Sequence, residues 1–85
     1  MLYVYFLRSK NIKNWVYVGS TNNLKRRFEE HLSGKSLSTK PFLPVYLDAY
    51  LAVRTESKAR MLEKYFKTGS GKAILKKRIL SDEAD

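Results

Sequence analysis

Three β-prone apolar runs alternate with segments whose apolar residues recur at helical spacing. The first run, Leu2 to Leu7, reads LYVYFL and is aromatic and β-branched, so a strand is predicted. Alternation puts Tyr3, Tyr5 and Leu7 on one face and Leu2, Val4 and Phe6 on the other. Both faces are apolar, which predicts a central strand covered on both sides. Arg8 to Asn14 is polar and predicts a hairpin loop, and Trp15 to Gly19 predicts a second strand with Trp15 and Tyr17 sharing a face. Ser20-Thr21-Asn22-Asn23 is a cluster of N-cap residues. A helix is expected from about Leu24 to Leu32, with Leu24, Phe28 and Leu32 as its buried stripe and Gly34 as its stop. After a loop from Lys35 to Pro44, Val45 to Val53 predicts a third strand. Asp48 interrupts its apolar run, so a bulge or a partly exposed face is expected there. Thr55 can cap a helix from Glu56 to about Thr68, with Ala59, Leu62 and Phe66 inward and Tyr65 at the edge. Gly69-Ser70-Gly71 is expected to stop it, and Lys72 to Leu80 predicts a third helix with Ile74, Leu75 and Ile79 apolar. The order is ββαβαα, an α/β (α+β) chain with helix, sheet and helix layers.

The 85 residues suit one domain, expected over residues 1–80, with an acidic, frayed tail over 81–85. Cysteine is absent, which excludes disulfides, thiolate metal sites and a cysteine nucleophile. Lys and Arg number 17 against 8 Asp and Glu, a net charge of +9 that points to a polyanionic partner, most simply nucleic acid. Solubility alone is the plainer explanation of that charge. A membrane surface is the rival partner, but no apolar run is long enough to span a bilayer and no signal-peptide succession is present. Met1 runs directly into a strand-like segment, so a cytoplasmic location is expected.

Four features could carry chemistry, and each has an ordinary alternative. Tyr5 and Tyr17 lie in neighbouring strands, where paired phenols can orient a water or lose a proton; strand tyrosines also simply pack. Arg27 and His31 stand one turn apart on one flank of the first helix. The guanidinium can grip a phosphate oxygen and the imidazole can move a proton near neutrality. Alternatively, Arg27 pairs with Glu30 and His31 answers the helix dipole. Glu63 lies beside the inner face of the second helix. One carboxylate with waters and a substrate phosphate is a common way to hold Mg²⁺, but Glu63 also has Lys67 at i+4, an ordinary ion pair. Lys35 and Lys40, interleaved with hydroxyls, suit phosphate contacts or plain solvation. Gly69-Ser70-Gly71-Lys72 lacks the preceding strand of a phosphate loop and reads as a helix–helix turn.

In chain order these features resemble the GIY-YIG nuclease superfamily. Tyr3-Val4-Tyr5 stands for G-I-Y, and Tyr17-Val18-Gly19 for Y-I-G. Asn23-Leu24, Arg27 and His31 match N-L-x-x-R-x-x-x-H, and Glu63 falls in A-x-x-x-E-K from Ala59 to Lys64. The likeness spans roughly residues 2–76 and is closest to small stand-alone members, themselves similar to the N-terminal nuclease domain of a bacterial excision-repair subunit. It implies a three-stranded antiparallel sheet flanked by helices and phosphodiester hydrolysis with one divalent metal ion, Mg²⁺ or Mn²⁺. By the same resemblance Tyr5 and Tyr17 orient or deprotonate the attacking water, with neither assigned alone as base. Arg27 binds the scissile phosphate, His31 assists proton transfer and Glu63 holds the metal. Tyr3 replaces the first glycine of the signature. The asparagine that some members carry after the glutamate has no counterpart in Gly69–Lys77, where Lys72 could reach a phosphate instead.

The leading expectation is therefore a metal-dependent endonuclease of low sequence specificity acting on nucleic acid, with DNA favoured. The chain has no room for a sequence-reading domain, so a partner protein is the expected source of specificity. The missing asparagine motivates the alternative of a non-catalytic nucleic-acid-binding module with the same fold. A protein-interaction module, suggested by the 13% aromatic content, is the third reading.

Overall fold

The computed structural model describes residues 1–81. Its elements are β1 (Leu2–Ser9), β2 (Val16–Thr21), α1 (Leu24–Leu32), a 3-10 turn (Lys40–Phe42), β3 (Val45–Val53), α2 (Glu56–Phe66) and α3 (Gly69–Arg78). The sheet order is β2-β1-β3 with both pairings antiparallel, so β1 is central as its two apolar faces require. One face packs Val4, Phe6 and Val18 against Ala59 and Phe66 of α2, Leu75 of α3 and Leu80. The other packs Tyr5, Leu7 and Val45 with Trp15, Tyr17, Leu24, Phe28 and Phe42, under α1 and the 3-10 turn. The result is the ββαβαα, helix–sheet–helix arrangement the sequence predicts.

Asp48 forms the expected bulge. Phe6 pairs with Ala49 and Leu7 with Leu47, which leaves Asp48 as the extra residue. Its carboxylate accepts from Arg8 Nη1 at 3.3 Å and from the Ser81 backbone N–H and hydroxyl at 3.0 and 2.7 Å. Arg8 and Ser9 therefore belong to β1 and are buried, whereas the sequence assigned them to a polar loop. An ion partner on the neighbouring strand is what makes a buried arginine tolerable there. Ser81, assigned to the frayed tail, is tied down by the same carboxylate; residues 82–85 lie outside the described residues.

Other boundaries shift for local reasons. β2 runs on to Thr21, so only Asn23 of the polar cluster caps α1, its side chain accepting from the Arg26 N–H at 3.1 Å. Leu32 is 48% exposed, and the buried place expected for it is taken by His31, which is fully enclosed. α2 ends at Phe66, and Thr68 caps α3, accepting from the Gly71 N–H at 3.1 Å. The glycines thus open a helix instead of closing one. Gly71 packs so tightly on the Tyr65 carbonyl that a Cβ there would collide with it, and this contact sets the α2–α3 corner. Leu75 is buried as expected, while Ile74 is 43% exposed.

Candidate active site

Pairing of β1 with β2 sets Tyr5 directly opposite Gly19. Both phenols crowd over that glycine: a Cβ on Gly19 would stand 2.5 Å from Tyr5 Oη and 2.9 Å from Tyr17 Cε2. Its missing side chain is what lets the two rings converge, with centroids 6.2 Å apart. α1 then brings His31 onto both rings, at centroid distances of 5.7 Å from Tyr5 and 5.2 Å from Tyr17. The Tyr5 hydroxyl lies 2.8 Å from His31 Nε2, and His31 Nδ1 lies 2.8 Å from Thr39 Oγ1. Tyr5, His31 and Thr39 are all shut away from solvent, while Tyr17 is half-buried.

Burial dominates the titration of this group. It pushes the Tyr5 phenol up to about 12, with the neighbouring Tyr17 adding to the rise and Arg27 opposing it. It also lowers His31 from its ordinary value, and the Arg27 charge lowers it further while Glu30 acts the other way. Both groups are therefore neutral near pH 7.

Arg27 stands one turn before His31, half-buried and ion-paired with Glu30 at 3.1 Å. Its guanidinium is close enough to act on both phenols. Glu63 approaches from α2, on the other side of β2. Alternation along β2 turns Ser20 toward that helix, and the Ser20 hydroxyl donates to Glu63 Oε1 at 2.6 Å. Lys67 Nζ donates to Oε2 at 2.9 Å. Partial burial works against the charged carboxylate, but Ser20, Lys67 and Arg60 outweigh it and hold Glu63 below its ordinary range. The charge of Glu63 is also felt at Tyr5. Gly19 and Ser20, adjacent in the chain, thus join the phenol–imidazole group on one side to the carboxylate on the other.

The ordinary pairings considered from the sequence, Arg27 with Glu30 and Glu63 with Lys67, are both formed. Pairs this exposed contribute only ~0.3–0.5 kcal/mol, so an incoming anion or cation can displace either at little cost. Lys35 and Lys40 are exposed on the loop after α1, flanking Ser36 and Thr39. Lys72 is exposed on α3 beside Asn14, Val16 and Lys76, on the sheet face opposite the phenols. A cleft of about 470 Å³ lies on the other flank of α1, lined by Tyr3, Asn22, Asn23, Lys25, Phe28 and Tyr50 among others, and holds none of the five residues.

The donor set fits a hard divalent cation. Glu63 is ionised, its side chain is 25% exposed, and a hydroxyl oxygen stands beside it. Among the described residues no group of three or more His, Asp or Glu side chains gathers. One carboxylate, with water and a substrate phosphate completing the shell, is how Mg²⁺ is commonly held. Ser20 and Thr39 were not singled out from the sequence as partners of Glu63 and His31. Period-two alternation from Val16 and Val18 points Ser20 at α2, but no local signal marks Thr39.

A family model described as the GIY-YIG catalytic domain matches residues 1–78. No curated protein and no solved structure gives a match. The matched stretch carries both tyrosines, the arginine, the histidine and the glutamate on the ββαβαα framework, and the chain belongs to the GIY-YIG family of nucleases.

Proposed function

We propose that this domain is an endonuclease that hydrolyses phosphodiester bonds of nucleic acid, DNA in particular, with low sequence specificity and with one bound Mg²⁺ or Mn²⁺. The observation that supports it best is the gathering of a guanidinium, a buried phenol–imidazole pair and an ionised carboxylate around Gly19 and Ser20.

Glu63, with Ser20 beside it, would hold the ion, which when bound polarises the ester and offsets its charge. Arg27 exchanges Glu30 for a non-bridging phosphate oxygen and stabilises the charge that develops there. Tyr17, the partly exposed phenol, orients the attacking water. Tyr5 and His31, both buried and packed against the Tyr17 ring, hold that phenol in place, and His31 assists the proton transfer. Lys35 and Lys40 contact backbone phosphates beside the site, and Lys72 contacts the backbone further along. Binding by such contacts is weak and salt-sensitive, with Kd on the order of 10⁻⁴–10⁻⁶ M.

The absence of asparagine from Gly69–Lys77 favours one other reading, a binding module of the same fold without activity. Incubation with supercoiled plasmid separates the two. Nicking that needs Mg²⁺ or Mn²⁺ and stops with a chelator is expected. A salt-dependent gel shift without cleavage under either metal would establish the alternative.

A further inference from the structure

We propose that Thr39 is a positioning residue for His31: its hydroxyl accepts the Nδ1 proton and so fixes the tautomer whose Nε2 lone pair receives the Tyr5 hydroxyl. The argument counts protons along a closed chain of groups. Tyr5 Oη, His31 Nε2, His31 Nδ1 and Thr39 Oγ1 are linked by two contacts of 2.8 Å. Tyr5 is 1% exposed and the other two residues are fully enclosed, so water does not compete for these atoms.

The phenol has one proton to place. The neighbouring Arg27 guanidinium only donates and cannot take it, and the acceptor set 2.8 Å from the hydroxyl is His31 Nε2. The proton of Tyr5 therefore goes to His31 Nε2. A neutral imidazole carries one proton, which must then sit on Nδ1 and point at Thr39 Oγ1. The Thr39 hydroxyl closes the chain by directing its own proton to the Ser36 carbonyl, a long contact of 3.5 Å. In the opposite tautomer Nε2–H would donate to Tyr5, and the buried phenol proton would lose this acceptor.

The loop holds Thr39 in place for this task. Lys40 N–H donates to the Ser36 carbonyl at 3.0 Å and Phe42 N–H to the Thr39 carbonyl at 2.9 Å, so Thr39 sits at the start of the 3-10 turn with Pro41 behind it. The basic loop that carries Lys35 and Lys40 is in this way pinned to the imidazole.

Histidine occurs once in the chain, so the ring nitrogens of His31 give a single set of ¹⁵N signals. Long-range ¹H–¹⁵N spectra of the metal-free protein near neutral pH read the tautomer directly. The wild type is expected as Nδ1–H with a bare Nε2. Thr39→Val, which keeps the shape and removes the acceptor, is expected to gain the Nε2–H form, and Thr39→Ser to restore the wild-type pattern. An Nε2–H wild type overturns the proposal without any variant, and so does a Thr39→Val protein that remains wholly Nδ1–H. The kinetic consequence rests on the nuclease reading: kcat for nicking falls about tenfold or more in Thr39→Val with KM little changed, and recovers in Thr39→Ser. A wild type that never nicks would remove that reading and leave the tautomer result standing.

Discussion

Tyr5 and His31, 26 residues apart in sequence, meet at 2.8 Å with neither side chain open to water. Tyr5→Phe would leave His31 Nε2 buried without its donor. That loss is expected to destabilise the fold by about 1–3 kcal/mol. The melting temperature should drop by about 4–8 °C for each kcal/mol lost. Nicking should fall with it, by about 10²-fold or more. A Tyr5→Phe protein as stable and as active as the wild type would show that the phenol and imidazole do not work as a pair.

Gly19 and Gly69 make a matched test of the crowding over β2. A methyl group on Gly19 meets Tyr5 and Tyr17, whereas one on Gly69 meets nothing within 4 Å. Gly19→Ala is expected to cost about 1–3 kcal/mol as the phenols are forced aside. Gly69→Ala should leave the melting temperature unchanged or slightly higher. Equal thermal melts for the two variants would contradict the geometry described.

The pH dependence of stability follows from His31. Burial, then the Arg27 charge, hold its pKa below the ordinary 6.5, so the unfolded chain binds the proton first as pH falls. Stability contributed by the neutral imidazole is present above pH about 6.5 and is lost progressively from there down to the folded-state pKa. Melts between about pH 8 and about pH 5 should show the decline, and His31→Gln should flatten it. A melting temperature that rises on acidification through this window, and does so equally in the variant, would contradict the burial of His31.

Asp48 closes the other end of the sheet. Its side chain and that of Arg8 are only 5% and 7% exposed. Asp48→Ala would remove one hydrogen-bonded ion partner of the buried Arg8 and is expected to destabilise by about 1–3 kcal/mol. It would also release Ser81, which hydrogen exchange at the Ser81 amide should register as lost protection. Retained protection in Asp48→Ala would contradict this role.

Local pattern carried the element order, the centrality of β1 and the bulge at Asp48, because each depends on alternation or on one charge interrupting an apolar run. Position 32 misled because helical spacing alone treats Leu32 as buried. The space under that turn is polar, bounded by Tyr5 and Thr39, and His31 fits it with both ring nitrogens bonded. The α2–α3 corner misled because glycine is an ordinary helix stop, and only the packing of Gly71 on Tyr65 shows why it opens α3. Of the candidate site, the signature spacing marked Tyr5, Tyr17, Arg27, His31 and Glu63. Ser20 and Thr39 escaped notice because their partners lie 43 and 8 residues away, brought near only by folding.

The most direct test compares wild-type and Glu63→Gln proteins in nicking supercoiled DNA with Mn²⁺, with DNA binding measured in parallel without metal. The amide can still accept from Ser20 but brings no charge to a cation. The account predicts kcat/KM lower by about 10²-fold or more, with metal-free DNA binding and the melting temperature little changed. Wild-type nicking by Glu63→Gln would contradict it.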